Sequence, residues 1–439
     1  MSYPSGVVRY LILAVVLFTA GLTSAPGQAT RQSDPEARAW AVLDSREFRA
    51  AAEHAERTHD RLVEEIIELT EIPAPPFKET ARGHAFLEKL RGAGLSDVET
   101  DAEGNVLGVR KGTGGAPLVA IAAHLDTVFP EDTDVTVTRT GTRLAAPGIG
   151  DNSRGLAVLL AVIRALDAAN ARTASDILFI GNVGEEGPGD LRGMRYLFQE
   201  GKFRDRIRTF ISIDGGGAGS SITTGGVGSK RYRAVFTGPG GHSYGAFGLV
   251  SPAFAMGKAM DKLSSVTVPA SPKTTFNIGV VGGGTSVNSI PFETWMELDL
   301  RSQSPEELRK LDGQVHALTA AAVREENSAR STSQGPVTVE MKLIGDRPSG
   351  QTSQSSPLVQ TAATVISGLG MSPSYHFSST DSNIPMSLGI PAITLDSGGH
   401  GGRAHALDEW IDVEPRASLT GVRSILGILM AVAGLQSSG

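Results

Sequence analysis

The chain contains no cysteine among its 439 residues. That absence excludes disulfides, a lipid-anchoring cysteine and thiolate metal ligands, so any metal must be held by His, Asp and Glu. Aromatic residues amount to only 5% and the formal net charge is -7. No Lys/Arg cluster is interleaved with aromatics, and nucleic acid is excluded as an expected partner. Long apolar runs are also scarce. The run from Tyr10 to about Leu22 falls short of the ~20 residues that cross a bilayer.

That run follows Arg9 and precedes small residues, with Gly27 and Ala29 placed as at a signal-peptidase site. Residues 1–29 are therefore expected to be an export signal, giving a periplasmic or secreted protein with no stable membrane span after cleavage, with an uncleaved N-terminal anchor as the alternative. The rest, at 40% hydrophobic content, is long enough to bury a sizeable core in two or three domains.

Residues 30–57 are polar and Ala-rich and are expected to form an N-terminal helical arm, and "HDRLVEEIIELTEIPAPP" reads as an amphipathic helix stopped by Pro73. "VLGVRKG", "LVAIAAHLDTV", "DILFIGNV" and "RTFISIDGG" are apolar, β-branched runs separated by helical stretches. This alternation predicts an α/β catalytic domain with a mostly parallel sheet and helices on both faces. Its first part is assigned to residues 58–228 and its second to 346–439. Between them, residues 229–345 read β-α-β-β-α-β, an inserted α+β ferredoxin-like domain. "RPSGQTSQSSP" reads as the return linker.

Polar punctuation falls where the catalytic strands and loops end: "AAHLDTV", "PGIGDNSRG", "GNVGEEG", "SIDGG" and "GGRAHALDEW". Together these segments supply His124, Asp126, Asp151, Glu185, Glu186, Asp214 and His405. Open α/β sheets place their sites outside the carboxyl ends of their strands. Taken singly, Asp151 would serve as a helix cap, Asp214 as a turn residue and His405 as a surface histidine. Taken together, clustered carboxylates and imidazoles call for a hard or borderline cation to neutralise them. Five ligands can serve two zinc ions if one carboxylate bridges, and such ions sit ~3.5–4 Å apart. The adjacent Glu185 and Glu186 then divide the work. One turns to a metal, while the other accepts a proton from the attacking water and passes it to the leaving amine.

These motifs resemble the zinc exopeptidase family of carboxypeptidase G, peptidase T, the aminoacylases and succinyl-diaminopimelate desuccinylase. The likeness runs from about residue 58 to 433. It implies two Zn²⁺ per subunit, with Co²⁺ or Mn²⁺ as substitutes. Asp151 would bridge them, His124 and Asp214 would complete one site, and Glu186 and His405 the other. It makes Glu185 the general base and Asp126 the carboxylate that orients His124. It also implies that His242, in "FTGPGGHSYG", donates to an oxyanion from the inserted lid and dimerisation domain, in a homodimer where that domain serves the neighbouring site. Asn288 and Arg301 match segments that hold a substrate carbonyl or carboxylate.

The stretch "SSTDSNIPMSLGIPAITLDSGGHGGRAHALDEW" is most similar to the peptidase T-like branch, which implies an aminopeptidase or di/tripeptidase acting on short peptides. Asp381, in "STDSN", is the candidate partner for a substrate ammonium, or else the cap of a short helix. An N-acyl-amino-acid hydrolase using the same machinery is the alternative. A non-catalytic metal- or peptide-binding protein is a third reading, and it gives no reason to keep both Glu185 and Glu186.

Overall fold

Burial on both faces makes "SDILFIGN" a central strand: Ser175–Asn182 is buried at every position, as a parallel sheet covered on both sides requires. The computed structural model describes residues 34–114 and 116–436, so the expected export signal at 1–29 lies outside the described residues. In the main sheet, Ser175–Asn182, Ala116–His124, Ile207–Ile213 and Ala392–Leu395 lie side by side and run parallel. Antiparallel strands flank this parallel core, Val106–Arg110 on one side and Ser221–Gly226 on the other.

Helices cover both faces. His59–Thr70, Arg154–Ala168, Pro357–Gly368 and Pro415–Ala433 join one apolar cluster with Val119, Ile121, Ile177 and Phe179 of the sheet. Helix Arg192–Gln199 packs Met194, Leu197 and Phe198 on the other face against Ala120, Leu178 and Phe210. Pro415–Ala433 is long and apolar enough to cross a membrane, and most of it is buried within the fold.

The N-terminal region does not project as an arm. It forms two helices, Pro35–Leu43 and Arg46–Arg57, which put Ala39, Val42, Phe48, Ala51 and Ala55 into the main core. Alanine supplies close helix approach here, and the polar residues between form the outer face.

The insertion leaves the main sheet after Ser221–Gly226 and returns at Gly350–Gln351, which pairs back onto that strand. Its four antiparallel strands lie in the order Thr274–Gly283, Glu293–Ser302, Gly228–Thr237, Thr338–Arg347. Helices Pro252–Ser264 and Pro305–Ala329 complete the β-α-β-β-α-β order and cover one face, over Ala234, Phe236, Met296, Leu298 and Leu300. Strand alternation sends Arg231, Arg233, Glu297, Asp299 and Arg301 to the opposite face.

Candidate metal centre

The carboxyl ends of the parallel strands converge. His124 is the last residue of its strand, Asp214 follows Ile213, and Glu185 and Glu186 follow Ser175–Asn182. The turn between strand and glutamates passes through Gly184 at φ 67°, where a Cβ would meet the Arg192 side chain at 2.5 Å. A left-handed backbone and the absence of a side chain are both needed there. Asp151 comes from a wide turn, Ile149–Ser153, leading into helix Arg154–Ala168. His405 is carried across from a loop between the paired strands His400–Gly402 and Trp410–Asp412, which extend onto Arg143–Ala145.

Two ligand groups result, His124 with Asp151 and Asp214, and Asp151 with Glu186 and His405. Asp151 belongs to both and turns one oxygen toward each histidine: Oδ1 lies 2.9 Å from His124 Nε2 and Oδ2 3.2 Å from His405 Nε2. His405 Nε2 is also 2.9 Å from Glu186 Oε1, and His124 Nε2 is 3.8 Å from Asp214 Oδ1. His124 Nε2 and Asp151 Oδ1 are buried, and among the described residues neither is in hydrogen-bonding geometry with a partner. Two such lone-pair atoms facing one another fit a shared divalent cation. A third grouping, His124 with Glu185 and Glu186, puts Glu185 close enough to act on whatever binds there.

Burial opposes charge throughout. It works to lower the His124 pKa, but Asp126, Asp151 and Asp214 overrule it and hold the imidazole well above its ordinary value. His405, whose side chain is 53% exposed, is pushed up to about 10 by Asp151 and Glu186. Asp151 is partly buried, and its desolvation works to raise the carboxyl, yet His124 and His405 hold it below the usual carboxylate range. Burial drives Glu185 well above the ordinary glutamate value, with the Arg347 guanidinium acting against it, and burial likewise raises Glu186. A dication would take over the neutralising that these protons perform.

Asp126 meets His124 through its backbone rather than through the carboxylate expected to orient that ring. Its backbone carbonyl lies 3.0 Å from His124 Nδ1, while its carboxylate Oδ1 is 3.6 Å away. The carboxylate itself accepts the Glu185 N–H at 3.0 Å and the Glu186 N–H at 2.7 Å. One aspartate thus ties the histidine to the glutamate pair. The Nδ1 contact leaves Nε2 as the lone-pair nitrogen facing the site.

Two supporting residues went unassigned in the sequence. Arg347, expected at the edge of a linker, is buried and donates Nη1 to Glu185 Oε1 at 3.1 Å and Nη2 to the Glu185 carbonyl. Glu409, inside the "AHALDEW" motif, is 2% exposed and accepts the N–H groups of Gly148, Gly150 and Asp151 at 2.8–2.9 Å. Burial pushes its pKa up to about 7, with the Asp151 charge adding to the rise. A carboxylate four residues beyond His405 in a Gly-rich loop was the signal for it.

A cavity of about 450 Å³ opens on Asp151, Glu185, Glu186, Asp214 and His405 and is lined on its other side by Arg231, Arg301 and Arg347. His242 and Asn288 are exposed and do not line it. They lie together where Gly241–His242 pairs with Ser289–Ile290, and the Asn288 carbonyl accepts the Ser243 N–H. His242 Nδ1 accepts from the N–H groups of Tyr244 and Gly245 at 3.2 and 3.3 Å, so the proton of the neutral ring sits on the outward Nε2.

Asp381 fulfils neither expectation. It is 1% exposed, does not line the cavity, and receives Asn182 Nδ2 at 2.9 Å on both oxygens. Ser382, with no side-chain cap bond, holds the cap position of helix Asn383–Ser387. Amine recognition by Asp381 is therefore corrected: a carboxylate enclosed behind the strand ends cannot meet a substrate ammonium.

A parallel α/β sheet with two groups at its strand ends that could each hold a metal ion, joined by one shared carboxylate, fits a metal-dependent hydrolase. The chain belongs to Peptidase family M20/M25/M40, which matches residues 120–431, and it is accordingly a metallopeptidase. Among its relatives is the uncharacterised protein YqjE of Bacillus subtilis, 26% identical over 81% of this chain and 94% of that one. The fold is shared with the aminopeptidase PepT of Bacillus cereus, at TM-score 0.70 and 22% identity over 85% of this chain and 99% of the other. It is shared also with YXEP of Bacillus subtilis, a dinuclear metal-binding peptidase, at TM-score 0.64 and 16% identity over 86% and 98%.

Proposed function

We infer that the protein is an exported exopeptidase with two zinc ions, cutting short peptides as an aminopeptidase or di/tripeptidase. One observation carries this reading: Asp151 is common to both ligand groups while Glu185 stands beside them without belonging to the bridged set. Bound there, two divalent ions would polarise the scissile carbonyl and acidify the attacking water. His124, Asp151 and Asp214 would hold one ion, and Asp151, Glu186 and His405 the other.

The chain's own part is positioning and proton transfer. Asp126 fixes the Glu185–Glu186 backbone through two N–H bonds, which directs the two side chains to different tasks. Glu185 takes the water's proton and returns it to the leaving nitrogen. Arg347 holds the Glu185 carboxylate on the cavity side. His242 presents its Nε2–H outside its own cavity, which supports its delivery to the site of a second copy as an oxyanion donor.

An N-acyl-amino-acid hydrolase is the second reading, favoured by the enclosure of Asp381, which leaves no assigned partner for a substrate ammonium. Zinc-loaded protein assayed on free di- and tripeptides beside their N-acetylated forms separates the two. Faster cleavage of the free peptides is the expected result. Equal or faster cleavage of the acetylated compounds would transfer the assignment to the acylases.

A further inference from the structure

Two outer strands of the main sheet are finished differently. Ser96–Thr100 carries Asp97 and Glu99 in ion pairs with Lys111 and Lys202, and its register breaks between Ser96 and Glu99, where Asp97 turns to φ 52°. Charge and a kink close such an edge to a further strand. Ser374–Ser378 has neither. It pairs parallel with Ser221–Gly226 and, among the described residues, with no other strand. The irregularity in that pair, an extra Thr224, belongs to the inner strand. Ser374–Ser378 holds no acid, lysine or proline, and Tyr375 and Phe377 are 40% and 37% exposed.

Backbone alternation decides what this edge offers. The Ser374 N–H donates to the Ser220 carbonyl and the Ser378 carbonyl accepts the Val227 N–H, so Ser374, His376 and Ser378 turn their backbone groups inward. The N–H and C=O groups of Tyr375 and Phe377 therefore point to the side where no strand pairs. The strand also runs toward the candidate metal centre. Ser378, its last residue, and Ser379 line the cavity that holds Asp151, Glu186 and His405, and the Ser379 hydroxyl accepts Arg347 Nη1 at 3.1 Å. An open ladder edge thus leads into the cavity.

We propose that Tyr375–Ser378 is a docking edge for the substrate's own backbone, so that the enzyme takes extended oligopeptides of more than three residues with a free amino end. The inference deepens the aminopeptidase reading and rests on it. A peptide whose amino end lies at the metals runs outward, antiparallel to Ser374–Ser378. One of its residues then exchanges a pair of hydrogen bonds with Phe377, and the residue two further on does so with Tyr375. Such pairing selects for length and extension rather than for a side chain. Continuity of the edge with the cavity makes substrate, rather than a second copy of the chain, its occupant.

Initial rates on alanine peptides of two to six residues test the edge. From the tripeptide upward, kcat/KM should rise roughly tenfold for each added pair of hydrogen bonds and then level off, and no gain beyond the tripeptide would overturn the proposal. Esters replacing single amides of the hexapeptide, away from the scissile bond, each remove one N–H. Losses should fall at every second position; equal losses throughout, or none, would overturn it. Tyr375→Pro removes one outward N–H and no bond to Ser221–Gly226, on the side where edge strands accept proline. It should lose most of the gain with length and keep the wild-type kcat/KM on Ala-Ala, and an undiminished gain would count against the edge. The ester series needs no variant and decides alone if this one fails to fold.

Calorimetric binding of the dipeptide and hexapeptide to zinc-loaded Glu185→Gln protein separates this inference from the reading beneath it. Tighter hexapeptide binding, with no peptide hydrolysed by the wild type, would sink the aminopeptidase reading and keep the edge. Hydrolysis without length dependence would keep that reading and overturn the edge, and binding of neither peptide would overturn both. A wild-type dimer that Tyr375→Pro dissolves, seen by sedimentation, would give the edge to a second copy and overturn the proposal.

Discussion

Replacing Glu409 by Gln tests whether metal binding depends on a residue that touches no metal. Oε1 of Glu409 accepts the Gly150 and Asp151 N–H groups and Oε2 accepts that of Gly148. Glutamine keeps one oxygen for the first two donors and turns its NH₂ toward the Gly148 N–H, so one buried bond is replaced by two donors in opposition. A buried donor left unsatisfied costs about 2 kcal/mol, which corresponds to roughly thirtyfold in an equilibrium constant. If that cost falls on the loop that presents Asp151, the loop's ligating geometry becomes correspondingly rarer. Because Asp151 serves both groups, Glu409→Gln should weaken both metal sites together by up to about thirtyfold. Urea unfolding of the metal-free protein reads the stability cost, and zinc titration by calorimetry reads the two sites. Unchanged affinity at both sites would refute the link between this carboxylate and Asp151, whatever happens to stability.

The adjacent glutamates should separate cleanly: Glu185→Gln is expected to keep both metals and lose most of kcat, and Glu186→Gln to weaken one site only, as metal analysis and kinetics on the two variants would reveal. Arg347→Met removes the cation that opposes the burial-driven rise of Glu185. Glu185 can act as a base only when ionised, so a further rise in its pKa should move the acid limb of the kcat/KM profile to higher pH, and an unmoved limb would deny Arg347 this role. Mixing inactive His242→Ala and Glu185→Gln proteins should restore part of the activity if His242 acts in a neighbouring subunit, whereas no recovery after demonstrated subunit exchange would place it elsewhere. Substituting Phe179→Ala, fully buried between the sheet and the helices of one face, should cost about 3–5 kcal/mol, read as a lowered urea midpoint.

Local chemistry made much of the site legible. His124, Glu186 and Asp214 each end or follow an apolar strand with a group that is costly to bury, and that conflict is visible in sequence, whereas Asp151 and His405 stand in glycine-containing loops. The order of strands and helices was equally open, since burial on both faces writes continuous apolar runs and an inserted β-α-β-β-α-β pattern changes their period. The two N-terminal helices were harder to read. Their alanines signal helix, but whether a polar, Ala-rich helix stands free or packs depends on a partner surface far along the chain, here helices Arg154–Ala168, Pro357–Gly368 and Pro415–Ala433.

What the sequence determined alone is therefore a set of candidate ligands and the strand ends that carry some of them, because both follow from residue type and short-range period. Tertiary structure alone decided which charges meet. Arg347 and Glu185 are separated by 162 residues and Glu409 and Asp151 by 258, and no local pattern encodes such pairs. Asp381 marks the other side of this limit. Its neighbours in sequence suggested a loop open to substrate, but Asn182, from a strand 199 residues away, encloses it. A buried polar group's role is set by the partner that satisfies it, and that partner is chosen by the packing of the whole chain.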